Sequence, residues 1–221
     1  QAIVLAQGEY DHLRRWHIPH TLACIDLRLF QGHLFLISAL PVATPTTGTA
    51  QRLYTLQDFL QSGLGLPRES RTLEWMHNLC QAVQQLHSQG ILLGDLDPYT
   101  VVLDKNSAQA EPKLMPFWLV PELQKLLPPP GGSISAHISY FKAPEALADE
   151  VEVASDVYSL GALLYLLLTG TPPDESTLRH RRRLRTPREV NARVSQHVDE
   201  CVMQALAIEP EERFPSVLAL M

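Results

Sequence analysis

The chain has 221 residues, of which 45% are hydrophobic and 19% charged, and its formal net charge is −6 at pH 7. This length is enough for one large or two small domains with a real core, and the acidic balance argues against nucleic-acid binding by the whole chain. Its three cysteines form no CxxC pair, so neither a zinc site nor a disulfide framework is indicated, and a cytoplasmic location is expected. The longest apolar run, residues 160–168, is too short for a membrane span.

The first forty residues are predicted to be rich in strands. Residues 2–6 are expected to form a strand and residues 8–17 a helix, with Leu13 and Trp16 at helical spacing. Residues 21–30 and 33–40 are predicted to be two strands joined by a tight turn, and a linker rich in Pro, Thr and Gly follows. Because the chain begins in a strand without a cap and stops inside a predicted helix, we expect it to be a piece of a longer protein.

From Thr55 onward, the sequence predicts mainly helices. Thr55 and Asp58 form a capping-box variant that opens a short helix. Residues 71–90 are predicted to form a longer helix that ends at Gly90. Its expected buried face consists of six side chains: Leu73, Met76, Leu79, Cys80, Val83 and Leu86.

Two further helices are predicted in the second half of the chain. Residues 155–170 are apolar on every side, which is typical of a helix buried all round. Residues 198–210 are predicted to form a helix ended by Pro210. Its apolar stripe consists of Val198, Cys201, Val202, Ala205 and Leu206.

Four segments occur in an order that resembles the protein kinase fold. Residues 86–104, LHSQGILLGDLDPYTVVLD, resemble the catalytic loop, and FKAPEAL (141–147) resembles the APE segment. SDVYSLGALLYLLLTGTPP (155–173) resembles the central helix, and ALAIEPEERFPS (205–216) the closing motif of bacterial Ser/Thr kinases. The resemblance implies an α+β, two-lobed fold. It consists of a partial, apparently truncated β-rich N-lobe at 1–40 with a helix and two strands, a hinge at 41–54 and a mainly helical C-lobe at 55–221.

The catalytic loop departs from the kinase motif H-R-D-L-x-x-x-N. Leu93 and Gly94 take the His and Arg positions, and Asp95 takes that of the catalytic aspartate. Asp97 stands where protein kinases usually have a lysine, and Thr100 replaces the metal-binding asparagine. A threonine hydroxyl is a weak ligand for Mg²⁺, and a carboxylate at Asp97 would repel the phosphoryl group. Gly94 also removes the arginine that would bind a phosphorylated activation loop, so Asp95 is interpreted as a vestigial base.

The other phosphate-handling motifs are also degenerate. In the best register, Pro116 and Phe117 fall on the first two positions of Asp-Phe-Gly, so the main magnesium ligand is replaced by a residue without a side-chain oxygen. Glu9 matches the small-lobe glutamate that pairs with a lysine, yet the first lysine of the chain is Lys105. The residues before Glu9 are too few for a glycine-rich loop, and a loop with a lysine upstream of Gln1 would reopen the question of nucleotide binding, whereas the replacements at Thr100 and Pro116 would remain. Binding of ATP, magnesium or another cofactor is therefore not expected.

The residues that hold the family's fold together are present. The resemblance implies a buried ion pair between Glu145 and Arg213, and a cap from Asp156 on the backbone amides of the catalytic loop. Leu13, Leu93 and Phe117 match the spine, a stack of apolar side chains that links the two lobes of kinases. The structural set is therefore Glu9, Leu13, Leu93, Phe117, Glu145, Asp156 and Arg213.

An arginine run occupies residues 179–193, which hold seven arginines and one glutamate. It is interpreted either as a docking patch for an acidic protein or a nucleic acid, or as a solvated loop, and both interpretations stay open. The candidate partner-binding residues are Arg179, Arg181, Arg182, Arg183 and Arg185.

The sequence favours a catalytically inactive, pseudokinase domain that acts in signalling as a regulatory or scaffolding module and binds a protein partner or fused domains. One alternative is an atypical ATP-dependent phosphotransferase of the Ser/Thr kinase type, with Asp95 as base and metal ligands such as Asp97 or Asp104. A second alternative is binding of an acidic partner through residues 179–193, with nucleic acid less favoured. For Asp95 the simpler interpretation is a turn aspartate that accepts backbone hydrogen bonds.

Overall fold

The computed structural model describes residues 18–30, 33–39, 54–94, 96–104, 109–116, 140–148, 150–173 and 183–221. The strands are β1 (Cys24–Phe30), β2 (His33–Ser38), β3 (Tyr54–Thr55), β4 (Val101–Leu103) and β5 (Pro112–Leu114). The α-helices are α1 (Leu56–Gln61), α2 (Glu69–Ser88), α3 (Val153–Thr169), α4 (Pro187–Val190), α5 (Gln196–Ala205) and α6 (Val217–Leu220). Short 3₁₀ helices cover Glu145–Ala148 and Pro210–Glu212. Among these described elements, no helix is long and apolar enough to cross a membrane.

The two predicted N-lobe strands form an antiparallel hairpin, β1 with β2. The register pairs Phe30 with His33 and Leu29 with Leu34, and it shifts at a bulge between Cys24 and Asp26. The predicted strand at 2–6 and the predicted helix at 8–17, with Glu9 and Leu13, lie outside the described residues.

A second, three-stranded sheet has the order β3-β4-β5 and is antiparallel throughout. Tyr54 in β3 pairs with Leu103 in β4. Tyr54, the last residue of the predicted hinge, thus belongs to this sheet by its backbone pairing. Thr55 then begins α1 with the predicted capping box, in which Asp58 N donates to Thr55 Oγ1 at 3.1 Å.

The segment before the hairpin is attached to the large lobe. Leu22 N donates to the Leu114 carbonyl at 2.8 Å, and Leu114 N donates to the His20 carbonyl at 2.9 Å. Ile18 and Leu22 are buried, and the His20 ring lies 3.2 Å from the Gln81 side chain of α2. Residues 18–22 thus fasten the start of the described chain to β5 and α2.

Helix α3 is the centre of the large lobe. It is buried from Ser155 through Leu168, as its apolar sequence predicts. A Cβ added to Gly161 would lie 2.7 Å from the Ala205 Cβ, so α3 and α5 approach more closely than any larger residue would allow. The helix ends at Gly170, whose φ of +79° is readily adopted only by glycine.

Two predicted helix faces differ in detail from the observed ones. Leu73 is exposed, because it lies roughly 120° around α2 from Leu79 at 3.6 residues per turn. Trp75 takes the inner position instead, where its Nε1 donates to the Ala110 carbonyl at 2.8 Å. In α5, Cys201 is only partly buried because it lies at the edge of the predicted apolar stripe. The helix ends at Ala205, well before the predicted end at Pro210.

Candidate functional site

The catalytic-loop region is built around Asp156, in the first turn of α3. Its Oδ2 accepts a hydrogen bond from Leu93 N at 2.9 Å, and its Oδ1 accepts one from Gly94 N at 2.7 Å. His87 Nε2 lies 2.7 Å from the same Oδ2, and both of these side chains are buried. The cap that the resemblance implied is therefore present. The sequence did not predict the contact of His87 with Asp156, because the two residues lie 69 positions apart and no local pattern links them.

Gly94, at the position of the motif arginine, has a structural role. Its φ is +65°, a left-handed conformation that residues with a Cβ rarely adopt. A Cβ on Gly94 would lie 2.8 Å from both methyl carbons of Val151, well inside normal contact distance. Val151 therefore occupies the space that any side chain at position 94 would need. Leu93, next to it, is buried as the spine position predicts.

The turn at residues 97–100 is closed by its own side chains. Asp97 Oδ1 accepts hydrogen bonds from Tyr99 N at 2.8 Å and Thr100 N at 2.9 Å. The Thr100 hydroxyl accepts from Asp97 N at 3.0 Å and donates to the Asp97 carbonyl at 2.8 Å. Asp97 thus has the turn-capping role that sequence analysis offered for Asp95, which lies outside the described residues. An aspartate followed by Pro-Tyr-Thr is a local signal for such a turn.

Burial changes the ionisation of Asp97. Desolvation raises the pKa of Asp97, and the hydrogen bonds from Thr100 and Tyr99 offset this rise only in part. The side chain is 7% exposed and lines a cleft of about 240 Å³ between α1, residues 140–141 and Gly170. Asp97 is therefore a buried acceptor at the wall of this cleft.

The structure also describes Pro116 and Asp104, two further candidate metal positions. Pro116 is buried just after β5, and Phe117 falls outside the described residues. Asp104, an alternative ligand, accepts a hydrogen bond from Glu111 N at 2.9 Å and so closes the loop between β4 and β5. Within the described ranges, no group of three His, Cys, Asp or Glu side chains is placed to hold a metal ion.

Glu145 and Arg213 form the ion pair that the resemblance implied. Arg213 Nη1 donates to Glu145 Oε1 at 2.7 Å, and Nη2 donates to Oε2 at 2.9 Å. The remaining N–H groups of the guanidinium donate to the carbonyls of Ala154, Ala207 and Ile208. All five N–H donors of Arg213 are therefore used, which satisfies a fully buried charge.

The ionisation of Glu145 follows from this pairing. Desolvation raises the pKa of Glu145, but the hydrogen bond from Arg213, with further bonds from its backbone and from Ser155, outweighs that effect. The net result is a pKa below the usual value. Glu145 thus stays charged, and it ties the APE segment to the C-terminal part of the lobe.

The described end of the arginine run folds against α4. Arg183 Nη2 lies 2.9 Å from Glu189 Oε1, and Arg185 Nη2 donates to the Glu189 carbonyl at 2.7 Å. The Arg183 side chain remains 77% exposed. Arg179, Arg181 and Arg182 lie outside the described residues.

The fold is shared with solved protein kinase structures. A double mutant of the Mycobacterium tuberculosis PknI kinase domain superposes with a TM-score of 0.68 at 20% sequence identity, covering 99% of this chain and 76% of that one. The protein kinase domain pattern matches residues 8–220. The chain therefore belongs to the protein kinase family.

Its similar relatives include bacterial serine/threonine-protein kinases. PknB of Mycolicibacterium smegmatis is 31% identical over 174 residues, which is 72% of this chain and 26% of PknB. A probable serine/threonine-protein kinase of Streptomyces coelicolor is 30% identical over 171 residues, 73% of this chain and 25% of that protein. The chain thus spans about a quarter of the length of these relatives.

Proposed function

We propose that this domain is a catalytically inactive kinase homologue that acts as a regulatory or scaffolding module and binds a protein partner or fused domains. The observation that carries the proposal is the closed turn at 97–100. In active kinases, a lysine and a metal-binding asparagine of this turn act on the phosphates and on Mg²⁺. Here Asp97 and Thr100 stand at those positions, and both side chains are bonded within the turn.

The electrostatics of the turn also oppose nucleotide binding. An ionised Asp97 about 4 Å from a phosphoryl oxygen would oppose binding by roughly 4 kcal/mol at an effective dielectric constant near 20. The Thr100 hydroxyl already donates its proton and accepts another, and Pro116 has no side-chain donor atom. These residues do not fit a magnesium ion, which requires several oxygen ligands at near-octahedral geometry.

The retained contacts support a role that depends on shape. Asp156 holds the backbone of the catalytic loop, and the Glu145–Arg213 pair holds the APE segment. Both stabilise the large lobe without acting on phosphate. We further propose a cytoplasmic location, since none of the three cysteines forms a disulfide.

The test is thermal denaturation of the full-length protein with ATP, with and without magnesium or manganese, together with transfer of labelled phosphate to generic substrates. We expect no metal-dependent shift and no transfer, and Asp95→Asn should change neither result. An active bacterial serine/threonine kinase is the positive control for both assays. A magnesium-dependent shift of several degrees, with transfer that Asp95→Asn abolishes, would contradict the proposal and favour an atypical Ser/Thr-type phosphotransferase.

A further inference from the structure

A second cleft, of about 760 Å³, lies apart from the catalytic loop. Its walls are the loop that leads into α2, the C-terminal end of α3 and residues 190–194, which follow α4. None of its lining residues belongs to the turn at 97–100 or to the cleft beside it. Its volume is within the range of roughly 300–1,000 Å³ that is usual for ligand-binding clefts.

The cleft has exposed apolar side chains at its rim. Leu66 and Val190, which line the cleft from two different segments, are 42% and 37% exposed, and Leu64, two residues before Leu66, is 58% exposed. Large apolar side chains that cluster at the edge of a cleft are typical of interaction sites. The cleft therefore offers apolar surface from both of these segments.

The charged side chains of the cleft that lack a partner are positive. Arg68 and Arg193 both line the cleft and are exposed, and neither side chain has a hydrogen-bond or ion-pair partner among the residues that the structure describes. The lining also contains one acidic residue, Glu69, whose Oε2 accepts a hydrogen bond from Ser195 N at 2.7 Å, so two arginines face one carboxylate and the lining is net positive. Residues 183–190 add to the positive charge, with three further arginines against one glutamate.

The walls of the cleft are held in place by hydrogen bonds. Asn191 Nδ2 donates to the Leu168 carbonyl at 2.8 Å, which joins the segment after α4 to the end of α3. The bond from Ser195 N to Glu69 joins the start of α5 to the start of α2. A ligand that enters would therefore lose little of its binding energy to ordering of the protein.

We propose that this cleft binds an acidic segment of a partner protein, in which an apolar side chain lies beside the carboxylates. The apolar side chain packs between Leu66 and Val190, and the carboxylates pair with Arg68 and Arg193. Arginine suits this role because its planar guanidinium binds a carboxylate through two hydrogen bonds. The inference rests on the proposed protein-binding function and names the partner's chemistry.

The probe is a short fluorescein-labelled peptide of alternating Glu and Leu, titrated with the full-length protein and followed by fluorescence anisotropy. We expect saturable binding that weakens with salt. Peptides of alternating Gln and Leu, or of Glu and Ser, should bind at least about tenfold more weakly, a loss of about 1.4 kcal/mol. Absence of saturable binding of the Glu–Leu peptide, or equal binding of all three peptides, would overturn the proposal.

Matched variants separate the cleft from the rest of the arginine run. The double variant Arg68→Glu, Arg193→Glu should lose at least about tenfold in affinity, or about 1.4 kcal/mol. Arg183→Glu, Arg185→Glu changes the charge by the same amount outside the cleft and should lose much less. Equal losses in both variants would show general attraction to the arginines and would overturn the cleft as the site.

Two further measurements complete the test. Both cleft arginines are exposed, so the charge-reversal variant should have the melting temperature of the parent protein. If the charge-reversal variant does not fold, the double variant Arg68→Gln, Arg193→Gln is used in its place. Competition by a single-stranded oligonucleotide as strong as by the unlabelled peptide would overturn the choice of a protein partner. The ATP assay is independent: a magnesium-dependent shift there would contradict catalytic inactivity and leave peptide binding unaffected.

Discussion

Val151 fills the space beside Gly94: a Cβ built on Gly94 would lie 2.8 Å from both methyl carbons of Val151. The backbone of Gly94 is also left-handed, with φ at +65°. At the position where the family motif has an arginine, any side chain would therefore require Val151 to move and the backbone to keep a strained conformation. The packing of Val151 and the left-handed backbone of Gly94 are therefore consistent with glycine, and not arginine, at this position.

Restoring a side chain at this position should destabilise the fold. Gly94→Ala should lower the free energy of unfolding by about 1–2 kcal/mol for the left-handed backbone, and by about 1–3 kcal/mol more for the contact with Val151. The matched control is Gly63→Ala, since Gly63 has a φ of +76° and nothing within 4 Å of its added Cβ. Urea denaturation measures the free energy of unfolding of both variants.

The role of Val151 is tested in the same experiment. In a Val151→Ala background, the cost of Gly94→Ala should fall to that of Gly63→Ala, because only the backbone term remains. Equal costs at the two glycines in the parent protein would show that Val151 does not restrict position 94.

Removal of the buried guanidinium should have a larger effect. Arg213→Ala leaves Glu145 charged, mostly buried and without its cationic partner, and should cost about 3–5 kcal/mol in unfolding free energy. Arg183→Ala removes an exposed pair with Glu189 and should cost less than about 1 kcal/mol. A urea midpoint for Arg213→Ala equal to that of the parent would mean that the pair does not stabilise the lobe.

The same pair predicts a pH dependence. The pKa of Glu145 is lowered in the folded state, so its contribution to stability is present above its ordinary value of 4.5 and is lost as the pH falls through the folded pKa. The difference in unfolding free energy between the parent and Arg213→Ala should therefore shrink on acidification. For Arg183→Ala the difference should stay small throughout. A parent-to-Arg213→Ala difference that is constant with pH would contradict this assignment.

Asp97 should act through its oxygen rather than its charge. Asp97→Ala leaves the amide of Tyr99 without an acceptor and that of Thr100 with only the Asp97 carbonyl at 3.2 Å, and it should cost about 1–3 kcal/mol. Asp97→Asn keeps an acceptor oxygen for both amides and should cost less. Urea denaturation and hydrogen exchange at Tyr99 and Thr100 distinguish the two variants. An Asn variant as unstable as the Ala variant would show that the charge is required.

Local patterns in the sequence determined much of the fold. The Thr55–Asp58 cap, the β1–β2 hairpin and the all-round burial of α3 were each predicted, because each depends on residues close together in the chain. The family motifs added the Glu145–Arg213 pair and the cap from Asp156, both of which the structure contains.

Only the tertiary structure decided the contacts across the lobe that no family motif contains. His87 reaches Asp156 over 69 positions, and Val151 reaches Gly94 from the segment before α3. The two arginines of the second cleft, Arg68 and Arg193, likewise come from distant segments. Periodicity shows which side of a helix is buried, but not what packs against it. Those contacts depend on how helices far apart in sequence pack together, which local spacing does not contain.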